Sequence, residues 1–135
     1  CGMILRYIAV AALMALTTGM VCAAPPVLDP PSGAAVALMD HFTDQQGMGE
    51  TWRFRFVAPA IGGAAPLGYD EVEADMTYLC ESVAVPEILQ ANAEPWRIVI
   101  TLMAEPVAFG EPAPDVRQYF EAYSLRDGRC IWEAF

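Results

Sequence analysis

The dipeptide Asp127-Gly128 constrains the fold of this chain more than any other sequence feature, because it separates two apolar runs near the end of the chain. Both residues tolerate the positive φ of a type I′ turn, so the pattern predicts a β-hairpin that joins residues 119–125 to residues 130–135. A two-residue turn also fixes the register of the two strands. The pairs on one face are Leu125 with Cys130 and Tyr123 with Trp132, and those on the other are Phe120 with Phe135 and Ser124 with Ile131.

Two further segments alternate between apolar and polar residues. In residues 52–56 three aromatic side chains alternate with Arg53 and Arg55, the period of a half-buried antiparallel strand. Residues 96–102 alternate in the same way and predict a central strand. Its inward residues are Trp96, Ile98, Ile100 and Leu102. An apolar run at 35–39 predicts an earlier strand, and the glycines that follow it favour a hairpin across residues 43–50.

One main helix is predicted to begin near residue 70. Asp70 and Glu73 have the spacing of a capping box, in which each side chain bonds the backbone of the other residue. The apolar face of the helix comprises Val72, Met76, Leu79, Cys80 and Val83, and Glu71, Asp75 and Ser82 are expected to face water. Pro86 is expected to end this helix and to open a short second one through residue 90.

These elements predict an α+β fold: a four- to five-stranded antiparallel sheet with one main helix packed on one face, and a C-terminal β-hairpin. With 135 residues the chain has room for one small domain, placed at residues 34–135. A multi-domain enzyme and a doubly wound cofactor-binding domain are excluded by this length.

The N-terminal segment has the order of a secretory signal. Arg6 precedes an apolar run at 8–16, and Val21-Cys22-Ala23 supplies the small residues that signal peptidase requires, so residues 1–23 are predicted to be a signal peptide. An uncleaved membrane anchor is the alternative. A lipoprotein signal fits less well, because Val21 precedes the cysteine. Residues 24–33 contain four prolines and are predicted to be an extended tether.

The charge of the chain excludes nucleic acid as a partner. Seven basic residues, all arginines, stand against 17 acidic residues, which gives a formal net charge of −10. Such a balance leaves no positive field to hold phosphates.

Two cysteines remain in the predicted exported domain, Cys80 on the helix and Cys130 in the hairpin. Two cysteines in an exported domain favour a disulfide. A redox or metal role is less favoured, since the chain has no Cys-x-x-Cys pair and no histidine near either cysteine. We therefore predict a structural Cys80–Cys130 bridge.

The chemistry-bearing residues predict no catalytic, cofactor or metal site. His41 lies between Asp40 and Asp44, but one histidine with two carboxylates is more typical of a solvated turn than of a metal site. The acidic residues near position 70 are explained by the helix dipole, and neither a nucleophile elbow nor a calcium loop is present.

Three arginines are candidates for ligand binding. Arg53, Arg55 and Arg97 are expected to share the outer sheet face, which makes them candidates to hold a carboxylate or a sulfate. Because the chain has an excess of carboxylates, the favoured interpretation is that they pair with Glu121, Glu133 or other surface acids.

The outer face is also expected to be apolar, since Phe120, Ile131, Phe135 and Val99 would lie there. Such a patch needs cover by a partner, by a second protomer or by the proline-rich loop at 105–114.

Four segments together carry a family resemblance: Ala74-Asp75-Met76 with Leu79-Cys80, Ile98-Val99-Ile100, Pro106-Val107-Ala108-Phe109-Gly110, and Phe120-Glu121-Ala122-Tyr123 with Cys130-Ile131-Trp132-Glu133. Over residues 33–135 the sequence resembles an uncharacterised family of small exported alphaproteobacterial proteins, a domain of unknown function. The resemblance implies an exported bacterial domain with cysteines at both positions and supplies no activity.

Similar sequences are sometimes labelled acetolactate synthase, which does not fit this chain. A thiamine-diphosphate enzyme needs several domains and a Gly-Asp-Gly motif, whereas Asp127-Gly128 is a hairpin turn. The expected function is therefore a periplasmic, non-enzymatic binding or accessory domain that engages another protein and needs no cofactor. The alternatives are a small subunit anchored in the membrane and facing the periplasm, and a small metal- or ligand-binding enzyme.

Overall fold

The computed structural model describes residues 19, 27–45 and 47–134. Five strands and two helices follow one another in these residues. They are β1 (Ala37–Asp44), β2 (Thr51–Val57), α1 (Tyr69–Leu79), α2 (Val85–Gln90), β3 (Arg97–Met103), β4 (Gln118–Arg126) and β5 (Arg129–Glu133). A 3₁₀ turn (Pro59–Ile61) precedes α1, and a π-helical segment (Cys80–Ala84) joins α1 to α2 without a break. The predicted signal segment lies outside the described residues.

The strands form one sheet in the order β1-β2-β3-β4-β5. The α+β class, the main helix and the C-terminal hairpin are confirmed. The sheet is mostly antiparallel, but β2 and β3 are parallel, with Phe54 opposite Ile100. The expectation of a wholly antiparallel sheet is corrected here, because the helical layer between β2 and β3 carries the chain back to the end of the sheet from which β2 began.

The hairpin register matches the prediction. Asp127 and Gly128 have φ values of 51° and 74°, and Leu125 lies opposite Cys130. Tyr123 pairs with Trp132 and Ser124 with Ile131, as expected. The pair that includes Phe135 lies outside the described residues. The predicted hairpin between the first two strands also forms, with Asp44 opposite Thr51.

The core lies between the helices and one face of the sheet. Its largest fully buried side chains include Tyr123, Phe54, Phe56, Ile61, Met76, Leu79, Ile88, Ile98, Ile100 and Leu102. Since side chains alternate along a strand, the neighbours of these sheet residues point away from the helices. We call that side of the sheet the outer face.

The start of α1 differs from the prediction. Gly68, rather than Asp70, is the N-cap residue. The Glu71 carboxylate accepts the backbone N–H of Gly68 at 2.7 Å, and the Glu71 N–H donates to the Gly68 carbonyl at 3.1 Å. The helix therefore begins earlier than the predicted capping box.

Pro86 does not end the helix as predicted. The N–H of Val85 bonds the carbonyl of Cys80, which is the hydrogen bond of a π turn. This wider turn accommodates the proline, which has no N–H and whose ring would meet the carbonyl of Ser82 in a regular α-helix. The second helix then runs through Gln90, as expected.

Part of the predicted tether is held against α1. The N–H of Ser32 donates to Asp75 at 2.9 Å, the Ser32 hydroxyl donates to the same carboxylate, and the N–H of Asp29 donates to the Tyr78 hydroxyl at 3.0 Å. Asp75 was expected to face water but is 1% exposed, because this segment covers it. Residues 28–32 thus pack against the helical layer.

Candidate functional site

The outer face carries the three arginines predicted to lie there. Arg53 and Arg55 alternate with the buried Phe54 on β2, and Arg97 begins β3. The hairpin register also places Arg126 and Arg129 on this side. Five of the seven arginines of the chain therefore lie on one face of the sheet.

Two of these arginines pair with acids of β1. Arg53 Nε lies 2.5 Å from Asp44 Oδ2, and Arg55 Nη1 lies 2.7 Å from Asp40 Oδ2. Pairing with surface acids is therefore confirmed for these two residues, but the partners are Asp44 and Asp40 rather than Glu121 or Glu133, because the register of β1 on β2 brings its own acids beside them.

Arg55 also fixes the loop between β3 and β4. Its guanidinium donates to the carbonyl of Val107 and lies 3.4 Å from the Met103 sulfur. The Cζ atom of Arg55 lies 5.6 Å from the centroid of the Phe109 ring, which belongs to the same loop. Phe109 also packs edge-on against Phe42, with the two ring centroids 4.8 Å apart. One buried cation thus holds the proline-rich loop over one end of the outer face.

A groove of about 640 Å³ lies at the other end of the outer face. Its lining residues are Gly47, Thr51, Arg53, Trp96, Arg97, Val99 and Phe120. Trp96 was predicted to point inward but is 37% exposed, and the guanidinium of Arg97 lies 4.3 Å from its ring centroid. A Cβ on Gly47 would come within 2.4 Å of the Trp96 ring, so glycine is required for this loop to close against the indole.

The proline-rich loop covers only part of the predicted apolar patch. Val107 is buried, and a cavity of about 480 Å³ lies between the loop and the sheet. Phe120 and Ile131 stay 51% and 42% exposed. Two large apolar side chains on the outer face therefore lack cover from the described residues.

A polar cluster that sequence reasoning missed lies on the helix side of the sheet. Glu121 was expected to be a surface acid, yet it is 6% exposed. Its carboxylate accepts the hydroxyl of Tyr69 and the indole N–H of Trp132, so it connects α1 to β5. The position of Glu121 in the sequence could have indicated its burial, because it lies between Tyr119 and Tyr123 among the inward residues of β4.

The charge of Glu121 acts on two tyrosines. Its hydrogen bond to the Tyr69 hydroxyl raises the pKa of that group above the ordinary value, and burial acts in the same direction. Burial raises the pKa of Tyr123 to about 12, the negative charges of Glu121 and Glu73 act in the same direction, and a hydrogen bond with Thr77 lowers it.

Tyr123 is expected to ionise near pH 12 in the folded protein and near pH 10 in the unfolded chain. Its contribution to stability is complete below pH 10 and is lost as the pH rises toward 12, because only the unfolded chain releases the proton in that interval. Absorbance at 295 nm should show this ionisation near pH 12, and Tyr123→Phe should remove that component while the late ionisation of Tyr69 remains. Thr77→Val should shift it further upward, while ionisation of every tyrosine near pH 10 in a chain that stays folded would contradict this assignment.

His41, Asp40 and Asp44 do not meet at one site. The two carboxylates bind arginines on the outer face, whereas His41 stacks on Phe54 at 5.3 Å on the other side of β1. Within the described parts of the chain, no group of three histidine, cysteine, aspartate or glutamate side chains is arranged to hold a metal ion.

The predicted disulfide joins Cys80 to Cys130, with Cα atoms 6.3 Å apart. It connects the π-helical segment to β5 across the core. Such bonds persist in oxidising compartments. In the residues that the structure describes, no helix has the length and apolar composition needed to cross a membrane.

The fold, the disulfide and the arginine-bearing outer face define a small, disulfide-bonded α+β domain. A family described as a family of unknown function (DUF6497) matches residues 8–135. The chain belongs to this family, which confirms the predicted membership of a domain of unknown function. No curated protein and no solved structure matches the chain.

Proposed function

We propose that this chain is an exported, non-enzymatic binding domain of the bacterial periplasm, and that another protein binds to its outer face. The carrying observation is the exposure of Phe120, which lines a groove of about 640 Å³, together with the exposure of Ile131 elsewhere on the same face. Contiguous exposed apolar patches rimmed by polar groups mark interaction sites on proteins.

The distribution of charge over the domain indicates the chemistry of the partner. Residues 69–90, which form the helical layer, contain six acidic residues and no basic one. The strands present five arginines against three acids, Asp40, Asp44 and Glu133, on the outer face, in a chain whose net charge is −10. A partner segment with apolar side chains and carboxylates therefore complements the outer face and is repelled by the helical layer.

The exported location is proposed from two features that fit one another. The order of residues 6–23 is that of a secretory signal, and the Cys80–Cys130 disulfide suits an oxidising compartment. The membrane-anchored alternative concerns the same N-terminal residues, and it leaves the outer face equally available to a partner.

Site-specific photocrosslinking tests this function. A photoreactive amino acid at position 120 in the producing bacterium should capture one discrete partner protein, and the same amino acid at position 89 should not. Leu89 is a matched control because it is 56% exposed but lies on α2, away from the outer face. Arg97→Glu should lower the yield from position 120, since it reverses a charge beside Phe120.

Two crosslinking results would contradict the proposal. If positions 120 and 89 give the same products, or if position 120 gives only crosslinks between copies of this chain, the outer face does not bind another protein.

A further inference from the structure

Strand β5 forms an edge of the sheet. In the strand order of the described residues it pairs with β4 on one side and with no strand on the other. An unpaired edge presents backbone N–H and C=O groups on which a further strand can pair.

The hairpin turn determines which residues present those groups. In a hairpin with a two-residue turn, the flanking pair Arg126 and Arg129 exchanges both backbone hydrogen bonds, and such pairs then alternate along the ladder. Ile131 and Glu133 therefore bond β4. The N–H and C=O groups of Cys130 and Trp132 point away from β4, toward the open edge.

This edge lacks three features that commonly prevent strand pairing, namely proline, lysine and a β-bulge, although the strand is short and carries Arg129 and Glu133. The other edge strand, β1, has a register irregularity between Leu38 and Asp40. Strand β5 has the sequence Arg-Cys-Ile-Trp-Glu and an unbroken register, and it exposes Ile131 and Trp132 by 42% and 55%.

We propose that β5 pairs antiparallel with β5 of a second copy of this chain, with Ile131 on the two-fold axis. The charge pattern of the strand carries this assignment. In that register Arg129 of each copy lies opposite Glu133 of the other, and all four side chains are on the outer face. The two pairs are identical by symmetry, as a closed dimer requires.

Neighbouring registers do not have this complementarity. The directions of the backbone groups allow a shift of the two-fold axis only to Cys130 or to Trp132. With the axis at Cys130, Arg129 lies opposite Ile131, and with the axis at Trp132, Glu133 lies opposite Ile131. Both shifts separate each charge from its opposite, so pairing about Ile131 is the favoured register.

The other face of β5 gains contacts in the same register. Trp132 of each copy lies opposite Cys130 of the other, and its exposed indole then covers the disulfide-bearing end of the neighbouring strand. The two outer faces become one continuous surface with Ile131 at its centre. The interface is short, and a dimer that dissociates on dilution is expected.

Charge reversal tests the register directly. Purified protein, as released by an exporting host, should approach twice the mass of one chain in sedimentation equilibrium as its concentration rises. Arg129→Glu and Glu133→Arg each place like charges opposite one another twice per dimer, and each should weaken dimerisation about tenfold. The double variant R129E/E133R restores both attractive pairs and should recover the original affinity.

Arg117→Glu is the matched control, because it reverses the charge of an exposed arginine that precedes β4 and lies away from the residues that pair with β5. It should leave dimerisation unchanged. The exchanged side chains are exposed, apart from the half-buried Glu133, and circular dichroism should show that each variant remains folded.

Amide hydrogen exchange gives a second measurement that needs no variant. The N–H groups of Cys130 and Trp132 should exchange more slowly at high protein concentration than at low concentration. The N–H of Ile131 bonds β4 in both states and should not change.

The proposal is overturned if the protein stays monomeric up to its solubility limit, or if R129E/E133R fails to recover dimerisation. It is overturned equally if a dimer forms whose stability depends on Arg117, or if the edge amides of β5 gain protection only in the presence of a different protein.

Discussion

A chain in which Cys80 and Cys130 are both replaced by alanine is expected to lose about 4 kcal/mol of unfolding free energy. The bridge closes a loop with a sequence separation of 50, and its removal restores that conformational freedom to the unfolded chain. Urea denaturation followed by tryptophan fluorescence measures the loss.

Reduction of the native protein supplies the control for this prediction. Dithiothreitol should lower the stability of the native protein by a similar amount and should not affect the alanine double variant. A double variant within about 1 kcal/mol of the native protein would mean that the helical layer and β5 are held together by packing alone.

Replacement of Arg55 by methionine is expected to cost about 3 kcal/mol of unfolding free energy. The Arg55 side chain is only 5% exposed and bonds both the Asp40 carboxylate and the Val107 carbonyl. Methionine keeps the apolar contacts but leaves both acceptors without their donor. The loop at 104–117 should then detach from the outer face.

Two measurements separate this effect from a general loss of stability. Thermolysin should cleave the Arg55→Met variant near Val107 or Phe109 under native conditions, and it should leave the native loop intact. Arg126→Met removes an exposed arginine from the same face and should change stability by less than about 0.5 kcal/mol. Equal cleavage in both variants would show that Arg55 does not hold the loop.

Local sequence predicted the hairpin but not the direction of β3. The turn at Asp127-Gly128 needs two positive φ values, and these two residues tolerate them, so the register followed from two positions. The parallel pairing of β2 with β3 depends on a crossover from residue 58 to residue 96. No short-range pattern encodes the path of such a connection.

Burial of polar groups was missed for a similar reason. Asp75 has the spacing of a solvent-facing helix residue, and Ser32, which covers it, lies 43 positions earlier in the chain. Glu121 is accommodated by donors from Tyr69 and Trp132, on two different elements. Such partners become neighbours only in the folded chain.

The sequence predicted which side of the sheet the candidate arginines occupy, but it did not predict which acids they pair with. Alternation in residues 52–56 placed Arg53 and Arg55 on the outer face. Their acidic partners, Asp44 and Asp40, follow from the register of β1 on β2. That register shifts between Leu38 and Asp40, and no sequence pattern predicts the shift. The groove beside Trp96 also required the loop glycine at position 47 to close against the indole.

The π turn changes the phase of the helical layer by one residue. A regular α-helix that presents Val72, Met76 and Leu79 to the sheet would next present residues 83 and 87. Ala84 and Ile88 are the fully buried residues instead, so the turn acts as a single-residue insertion that moves the hydrophobic frame forward. A homologous chain with one residue fewer between positions 80 and 86 is expected to keep this frame with an unbroken α-helix, provided that it also lacks the proline.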